Sequence, residues 1–293
     1  MFQLLKSSRA VAIIFAMLMI AVFALHGCNV LQGLPADELV YVIPPDDQVD
    51  VLEKQWAPFV EYLSEQLGRP VKLIIGADYA AVVEAMKYGH ADIAVTGASG
   101  YAIAGREVDI EVLVAEVMAS TGLPSYQSYI ITRSDSGIEE LSDLNGKTFA
   151  FTDVGSTSGY LMPNYIFTQE GIKIGREFFG GAQFVVVEAV LNNTVDAGSI
   201  AEQYYRQGIK EGVFTEPELD IIYISDPIPG TATWVRKDMD AELKQQIADA
   251  LVNVPDEVMD ATGRGGDIIG YASMDDSDYD VIRNIQDVLE LVE

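Results

Sequence analysis

Three consecutive hydroxyl side chains stand between two glycines in the stretch 150-AFTDVGSTSGYLMPNYIF-167. The apolar residues before this segment predict a strand, and the residues from Thr157 onward predict a helix. The first turn of a helix has N–H groups without intrahelical acceptors and a partial positive charge, so small residues there let an anion approach closely. One hydroxyl would suffice as a helix N-cap. Three in succession, Ser156, Thr157 and Ser158, favour a cradle for a tetrahedral oxyanion.

Enzyme and metal chemistry find little support in the other residue types. The hydrolase pattern G-x-S-x-G fails in 155-GSTSG-159, because its central residue is Thr157. A Ser/His/Asp triad would have to use His90, which lies in a predicted turn. The segment 145-NGKT-148 lacks the first glycine of a phosphate-binding loop, and 275-DDSDYD-280 lacks the glycine and final glutamate of a calcium loop. The sequence therefore predicts no catalytic residue, no metal and no cofactor.

Composition and charge limit the partners. The chain has 293 residues, of which 49% are hydrophobic, and this is enough for a large core in one or two domains. Its 18 basic and 45 acidic residues give a net charge of −27. Such a surface repels nucleic acid and anionic membrane surfaces. We therefore predict a protein that does not bind nucleic acid, and we expect a monomer.

The N-terminal segment has the features of a secretory leader. Basic residues precede the apolar run 10–25, and 25-LHGC-28 resembles a bacterial lipobox with His at its middle position. These features predict a lipoprotein signal peptide at 1–27, acylation of Cys28 and a tether at 28–38. An uncleaved membrane anchor is the alternative, although the apolar run is short for a spanning helix. Cys28 is the only cysteine, so no disulfide is predicted.

Alternating strand and helix patterns predict an α/β fold with two lobes, each a mostly parallel sheet flanked by helices. The predicted strands are 39–43, 71–75, 92–96, 128–132, 148–151, 183–187, 195–199, 221–225 and 233–235. The predicted helices are 51–67, 79–88, 157–170, 188–192, 201–211, 240–252, 255–262 and 278–291. We assign 39–132 and 230–293 to lobe 1 and 133–229 to an inserted lobe 2, with crossings near 130–134 and 222–232. A ligand would bind in the cleft between the lobes, at the carboxyl ends of the strands.

The segment 151-FTDVGSTSGYLMP-163 resembles the signature of the phosphonate/phosphite substrate-binding proteins of ABC transporters. These proteins have the type II periplasmic binding protein fold. The segments 78-DYAAVVEAMKYGHADIAVTG, 134-SDSGIEELSDLNGKTFAF, 194-TVDAG and 276-DSDYDVIR follow the family pattern in the same order. The resemblance covers nearly all of the chain after the leader. It implies a two-lobed receptor with its ligand cleft between the lobes.

The resemblance also implies roles for individual residues. Ser156, Thr157 and Ser158 match the hydroxyls that cradle the phosphonate group. Tyr79 and Tyr126 match aromatic residues that line the cleft, although by chemistry alone either tyrosine could equally be a core residue.

Three positions depart from the family pattern. Gln183 stands where the family often has a histidine that hydrogen-bonds the phosphonate; its amide still donates but carries no charge. Gln203 and Thr231 stand where members that take aminoalkylphosphonates place acidic residues on the amine. Neutral side chains at both positions favour a ligand without an amine.

The predicted function is binding. An extracytoplasmic, lipid-anchored receptor would capture a small phosphorus oxyanion, either phosphite or a non-aminated phosphonate, and deliver it to the permease and ATPase of an ABC importer. Two alternatives remain open at this point. One is a ligand-sensing module for a membrane signalling partner. The other is an enzyme on the same fold, which the shortage of His and Cys disfavours.

Overall fold

From Leu39 onward the chain forms one unit. It is built on two large β-sheets with helices packed against them. The computed structural model describes residues 38–45, 48–262 and 267–289. The predicted signal peptide 1–27, the lipidation residue Cys28 and the tether up to residue 37 lie outside these ranges. No helix within these ranges is both long and apolar enough to cross a membrane.

Strands and helices alternate along most of the chain. The strands are β1 Leu39–Ile43, β2 Val71–Ile75, β3 Ile93–Thr96, β4 Ile110–Met118, β5 Ser125–Tyr126, β6 Ser128–Arg133, β7 Thr148–Phe151, β8 Arg176–Phe179, β9 Ala197–Ala201, β10 Leu219–Ile224, β11 Ile228–Pro229, β12 Ala232–Arg236 and β13 Ile268–Ser273. The helices are α1 Val49–Leu67, α2 Tyr79–Lys87, α3 Ala98–Glu107, α4 Met162–Glu170, α5 Gln183–Leu191, α6 Glu202–Lys210, α7 Ala241–Val252, α8 Asp256–Ala261 and α9 Asp280–Val288. A π-helical turn, Thr157–Leu161, leads into α4.

Lobe 1 is built on a six-stranded sheet with the order β13-β4-β12-β3-β1-β2. Strands β1, β2 and β3 are parallel, whereas β12 runs antiparallel to both β3 and β4. Helix α1 follows its apolar spacing and buries Trp56, Phe59 and Leu63 against the sheet. It ends at Gly68, whose left-handed φ of 62° is one that glycine adopts readily.

Lobe 2 is built on a five-stranded sheet with the order β10-β6-β9-β7-β8. Strand β7 is parallel to both β8 and β9, and β6 runs antiparallel to β9 and β10. One hydrophobic cluster contains Val186 and Val190 of α5, and a second contains Phe167 of α4 together with Phe149 and Phe151 of β7. Because β7, β8 and β9 are parallel, their carboxyl ends lie at the same edge of this sheet.

The chain passes between the sheets earlier than the sequence suggested. The crossing expected near 130–134 falls inside β6, which already pairs with β9 and β10 of the second sheet. Strand β6 starts at Ser128, so the change of sheet occurs next to Gln127. The short ribbon formed by β5 and β11 joins the two connecting segments, and Gln127 Nε2 donates to the carbonyl of Ser225 at 2.8 Å.

One predicted strand is wrong. The sequence pattern predicts a strand at 183–187, but these residues form the first half of α5. The strand at this place in the fold is β8, an edge strand with mostly exposed residues. Helix α5 buries Val186, Val187 and Val190, and packing of this kind outweighs the β preference of valine. No predicted element corresponds to α3, β4 or β13.

Candidate ligand-binding site

One cavity between the two lobes brings together all of the ligand residues predicted from the sequence. The cavity is small: the positions open to the centre of a water molecule fill about 50 Å³. The predicted residues in its lining are Tyr79, Tyr126, Ser156, Thr157, Ser158, Gln183, Gln203 and Thr231. None of the described residues that line it is charged. Their roles in binding stay predictions, but the fold places them around one space.

Helix N-termini from both lobes converge on this cavity. Thr157, Gln183 and Gln203 lie in the first turns of the π-helical segment, α5 and α6, which follow the parallel strands β7, β8 and β9. Tyr79 begins α2, and Gly97 precedes α3 at its N-cap. All five residues line the cavity. The positive ends of several helix dipoles therefore lie close to one another in a site whose described lining residues include no basic side chain.

The three hydroxyl residues are buried and have different partners. Ser156 is the N-cap, and its Oγ accepts from the N–H of Gly159 at 3.1 Å. Thr157 Oγ1 accepts from the N–H of Ser99 in lobe 1 at 2.8 Å. A hydroxyl that accepts a hydrogen bond still has its own proton to donate. Ser156 and Thr157 can therefore each donate a hydrogen bond into the cavity.

The two glycines that flank the hydroxyls are required by close packing. A Cβ at Gly159 would lie 2.1 Å from Oγ1 of Thr152, and a Cβ at Gly155 would lie 2.8 Å from Cβ of Tyr79. The lack of a side chain at Gly159 lets the π-helical turn pack against Thr152, at the end of β7. The lack of a side chain at Gly155 lets the loop before the π-helical turn approach Tyr79, at the start of α2 in lobe 1.

The two glutamines of the site differ in how their amides are bonded. Gln183 Oε1 accepts from the N–H of Ala201 at 3.1 Å, which leaves its NH₂ group to donate. Gln203 is buried, and its Oε1 has no hydrogen-bond partner in the described part of the chain. Leaving a buried acceptor unpaired costs about 1–3 kcal/mol. Among the described side chains that line the cavity, Gln203 therefore offers a buried, unpaired acceptor, Oε1, that a hydrogen-bond donor of a ligand would satisfy.

An acidic residue lies directly before the cradle. Asp153 Oδ1 accepts from the N–H of Gly155 at 2.8 Å. Burial raises the pKa of this carboxyl; the Gly155 hydrogen bond lowers it, and the negative charge of Asp78 across the cleft raises it further, so that the net shift is upward. The ionised form of Asp153 is thus disfavoured in this arrangement.

A partly buried ion-pair group also joins the lobes. Arg206 Nε lies 2.8 Å from Asp267 Oδ1, and Arg206 Nη1 lies 2.9 Å from Glu202 Oε2. Glu202 and Arg206 belong to α6 of lobe 2, while Asp267 immediately precedes β13 of lobe 1. The i, i+4 spacing of Glu202 and Arg206 is visible in the sequence. Nothing in the sequence pattern identifies Asp267 as their partner.

Sequence reasoning missed several other lining residues, which are Trp56, Gly97, Phe184, Tyr204, Gln207 and Thr262. Gln207 lies one helical turn after Gln203, so this spacing is the one signal that could have found it. Among the described residues, no group of three or more His, Cys, Asp or Glu side chains is placed to hold a metal ion.

Comparison with known proteins identifies the family. A family model described as "ABC transporter, phosphonate, periplasmic substrate-binding protein" matches residues 41–279. The chain belongs to this family. The resemblance inferred from 151–163 and the two-lobed α/β fold are both confirmed. Family membership also places the protein outside the cytoplasm, among binding proteins.

Individual relatives agree with this assignment. The chain is 31% identical to the "Phosphate-import protein PhnD" of Mycolicibacterium smegmatis, over 88% of this chain and 87% of that one. It is 30% identical to the "Phosphonates-binding periplasmic protein" of Escherichia coli, over 69% and 62%. A crystal structure of a binding protein component of an ABC phosphonate transporter from Pseudomonas aeruginosa superposes with a TM-score of 0.77, at 25% identity and 85% coverage of both chains.

Proposed function

We propose that this substrate-binding protein captures phosphite or a small non-aminated phosphonate between its lobes. In this proposal it is anchored through a lipid on Cys28 and delivers its ligand to the permease and ATPase of an ABC importer. The observation that carries the proposal is the cavity at which helix N-termini of both lobes meet hydroxyl and amide side chains, without a charged group among the described lining residues.

Such a lining suits a small dianion. Preorganised N–H and O–H dipoles stabilise negative charge well in a site from which water is excluded, because they need no reorganisation when the ligand arrives. Ser156 and Thr157 supply hydroxyl donors, and Gln183 supplies an amide donor. The net charge of −27 does not oppose this locally, since exposed charges farther away than about 8–10 Å are largely screened at physiological salt.

The same lining disfavours an amine. A protonated amine loses hydration in the cleft, and this costs several kcal/mol unless a carboxylate or several acceptors replace the water. Gln203 and Thr231 offer neutral groups only. We expect phosphite or methylphosphonate to bind at least about tenfold more tightly than aminoethylphosphonate, which corresponds to about 1.4 kcal/mol.

Phosphate is a second candidate, and Gln203 is the reason. Its buried Oε1 has no partner among the described residues, and the hydroxyl of hydrogen phosphate could donate to it. Phosphite and methylphosphonate dianions have no such donor. The name of the mycobacterial relative, a phosphate-import protein, points in the same direction.

Calorimetric titration of the mature chain with phosphite, methylphosphonate, aminoethylphosphonate, phosphate and sulfate tests the proposal. Gln203→Glu combined with Thr231→Asp should narrow or reverse the preference against the amine. A control with the same added charge, Gln245→Glu combined with Asn253→Asp on the exposed surface, should leave it unchanged. If the wild-type protein binds aminoethylphosphonate more tightly than methylphosphonate, another carboxylate reaches the amine.

The lipid anchor has a separate test. Cys28→Ser should release the protein from membrane fractions, and continued lipid labelling of this variant would refute the anchor.

A further inference from the structure

One buried hydrogen bond crosses the cleft at the cradle itself. The N–H of Ser99, in the first turn of α3, donates to Thr157 Oγ1 at 2.8 Å. Both residues are almost completely buried, Ser99 at 2% exposure and Thr157 at 1%. Ser99 belongs to lobe 1 and Thr157 to lobe 2, so this hydrogen bond exists only while the lobes are together.

Gly97 lies next to this hydrogen bond. A Cβ on Gly97 would be 2.8 Å from Thr157 Oγ1 and 3.5 Å from the hydroxyl oxygen of Tyr126. The first distance is far inside van der Waals contact. The backbone of Gly97 has φ −58° and ψ 164°, which any L-residue can adopt. The conformation of Gly97 therefore does not require glycine, and the nearest obstacle to a side chain is an atom of the other lobe.

The other glycines of α3 differ in this respect. A Cβ at Gly100 would meet Thr96, a neighbour within lobe 1, at 2.9 Å. A Cβ at Gly105 would meet Ile110 at an ordinary 3.7 Å. Of the three, Gly97 is the one whose lack of a side chain serves the approach of lobe 2.

We propose that Gly97 is a positioning residue for ligand capture, because its missing side chain lets α3 reach Thr157 when the lobes close on an oxyanion. This inference rests on the proposed function. Thr157 Oγ1 accepts from Ser99, so its single proton is left to donate to a ligand oxygen in the cavity. Hydrogen bonds in such a chain strengthen one another. The ligand, Thr157 and the N-terminus of α3 are thus linked, and ligand binding is coupled to closure.

Substitution of Gly97 by alanine tests this coupling. The backbone suits alanine, but alanine is a poorer N-cap than glycine, so the two effects oppose each other and the melting temperature of unliganded Gly97→Ala should change by only a few degrees. Its affinity for phosphite, with methylphosphonate and phosphate as further titrants, should fall at least about tenfold, equivalent to about 1.4 kcal/mol. Gly105→Ala, in the same helix, is the matched control and should bind like the wild type. Wild-type affinity in Gly97→Ala would overturn the inference while leaving the proposed function intact.

A double-mutant cycle identifies the atom responsible. Thr157→Ala removes Oγ1, so adding Gly97→Ala in that background should change affinity less than about twofold. Thr157→Ser keeps the oxygen, so Gly97→Ala should remain harmful in that background. An undiminished loss in the Thr157→Ala background would refute the proposed contact. If the wild type binds none of the titrants, the proposed function fails, and this inference fails with it.

Discussion

At the scale of the residue, the serine–threonine–serine run illustrates what a sequence motif can and cannot specify. The residue types at 156–158 indicate an oxyanion cradle, and the structure places them in one cavity with Gln183. Their individual partners were not predictable. Ser156 bonds within its own turn, whereas Thr157 bonds to Ser99, 58 residues earlier in the chain. Local capping follows from local sequence, but a contact between lobes depends on the tertiary arrangement.

The hydroxyl of Thr157 should matter for affinity far more than for folding. Thr157→Val keeps the shape of the side chain, but it removes a donor to the ligand and leaves the Ser99 N–H without its acceptor when the lobes close. We expect binding to weaken by about 1.5–3 kcal/mol, roughly tenfold to more than a hundredfold. Calorimetry with the preferred anion measures this effect, and Thr168→Val on the exposed end of α4 is the control. Unchanged affinity would reduce Thr157 to a packing role.

The carboxyl of Asp153 should oppose anion binding. Burial and the charge of Asp78 raise its pKa, so the ionised form destabilises this arrangement, and protonation at low pH relieves the destabilisation. Asp153→Asn keeps an oxygen to accept from Gly155 but stays neutral at every pH. We expect it to bind the anion about two- to fivefold more tightly at pH 7. The advantage over wild type should shrink as the pH falls through the carboxyl range. An advantage that is constant over pH would exclude the charge as its cause.

At the scale of the element, short apolar runs were the least predictable part of the fold. Strands β1, β2 and β7 follow their β-branched and aromatic patterns, and α1 follows its helical spacing. The valines of α5 do not distinguish a helix from a strand, because a short apolar run that is buried on most sides has no period typical of either. Strand β8 was missed for the opposite reason. It lies at the sheet edge, where exposed residues such as Arg176 give no apolar signal.

Helix α6 should contribute to closure through its ion pair. The Arg206–Asp267 pair joins α6 to lobe 1, so it favours the closed arrangement and therefore binding. Asp267→Asn keeps the Arg206–Glu202 pair and should weaken ligand affinity by about 0.5–1.5 kcal/mol, with a smaller effect at high salt. Asp238→Asn, whose partner Arg236 lies in the same lobe, is the matched control. Equal affinities for the two variants would show that the interlobe pair plays no part in capture.

At the scale of the whole molecule, we expect the two segments that connect the sheets to act as a hinge. They are held together by the β5–β11 ribbon and by the bond from Gln127 to Ser225. We expect the lobes to rotate about these segments when ligand is withdrawn. Small-angle scattering should give a smaller radius of gyration at saturating phosphite than without ligand. Superimposable curves would indicate a cleft that is already closed before the ligand arrives.

The two-sided lining of the cavity, uncharged in its described residues, has a kinetic consequence for the proposed function. A ligand held by dipoles from both lobes forms no ionic bond with these described residues, yet it cannot leave while the lobes are in contact. Its residence time is then set by how often the hinge opens, and chemically different anions should leave at similar rates. The protein would discriminate between anions at the capture step, through the fraction of encounters that end in closure of the lobes. The protein would then select its ligand at capture and release it at a rate set by its own motion.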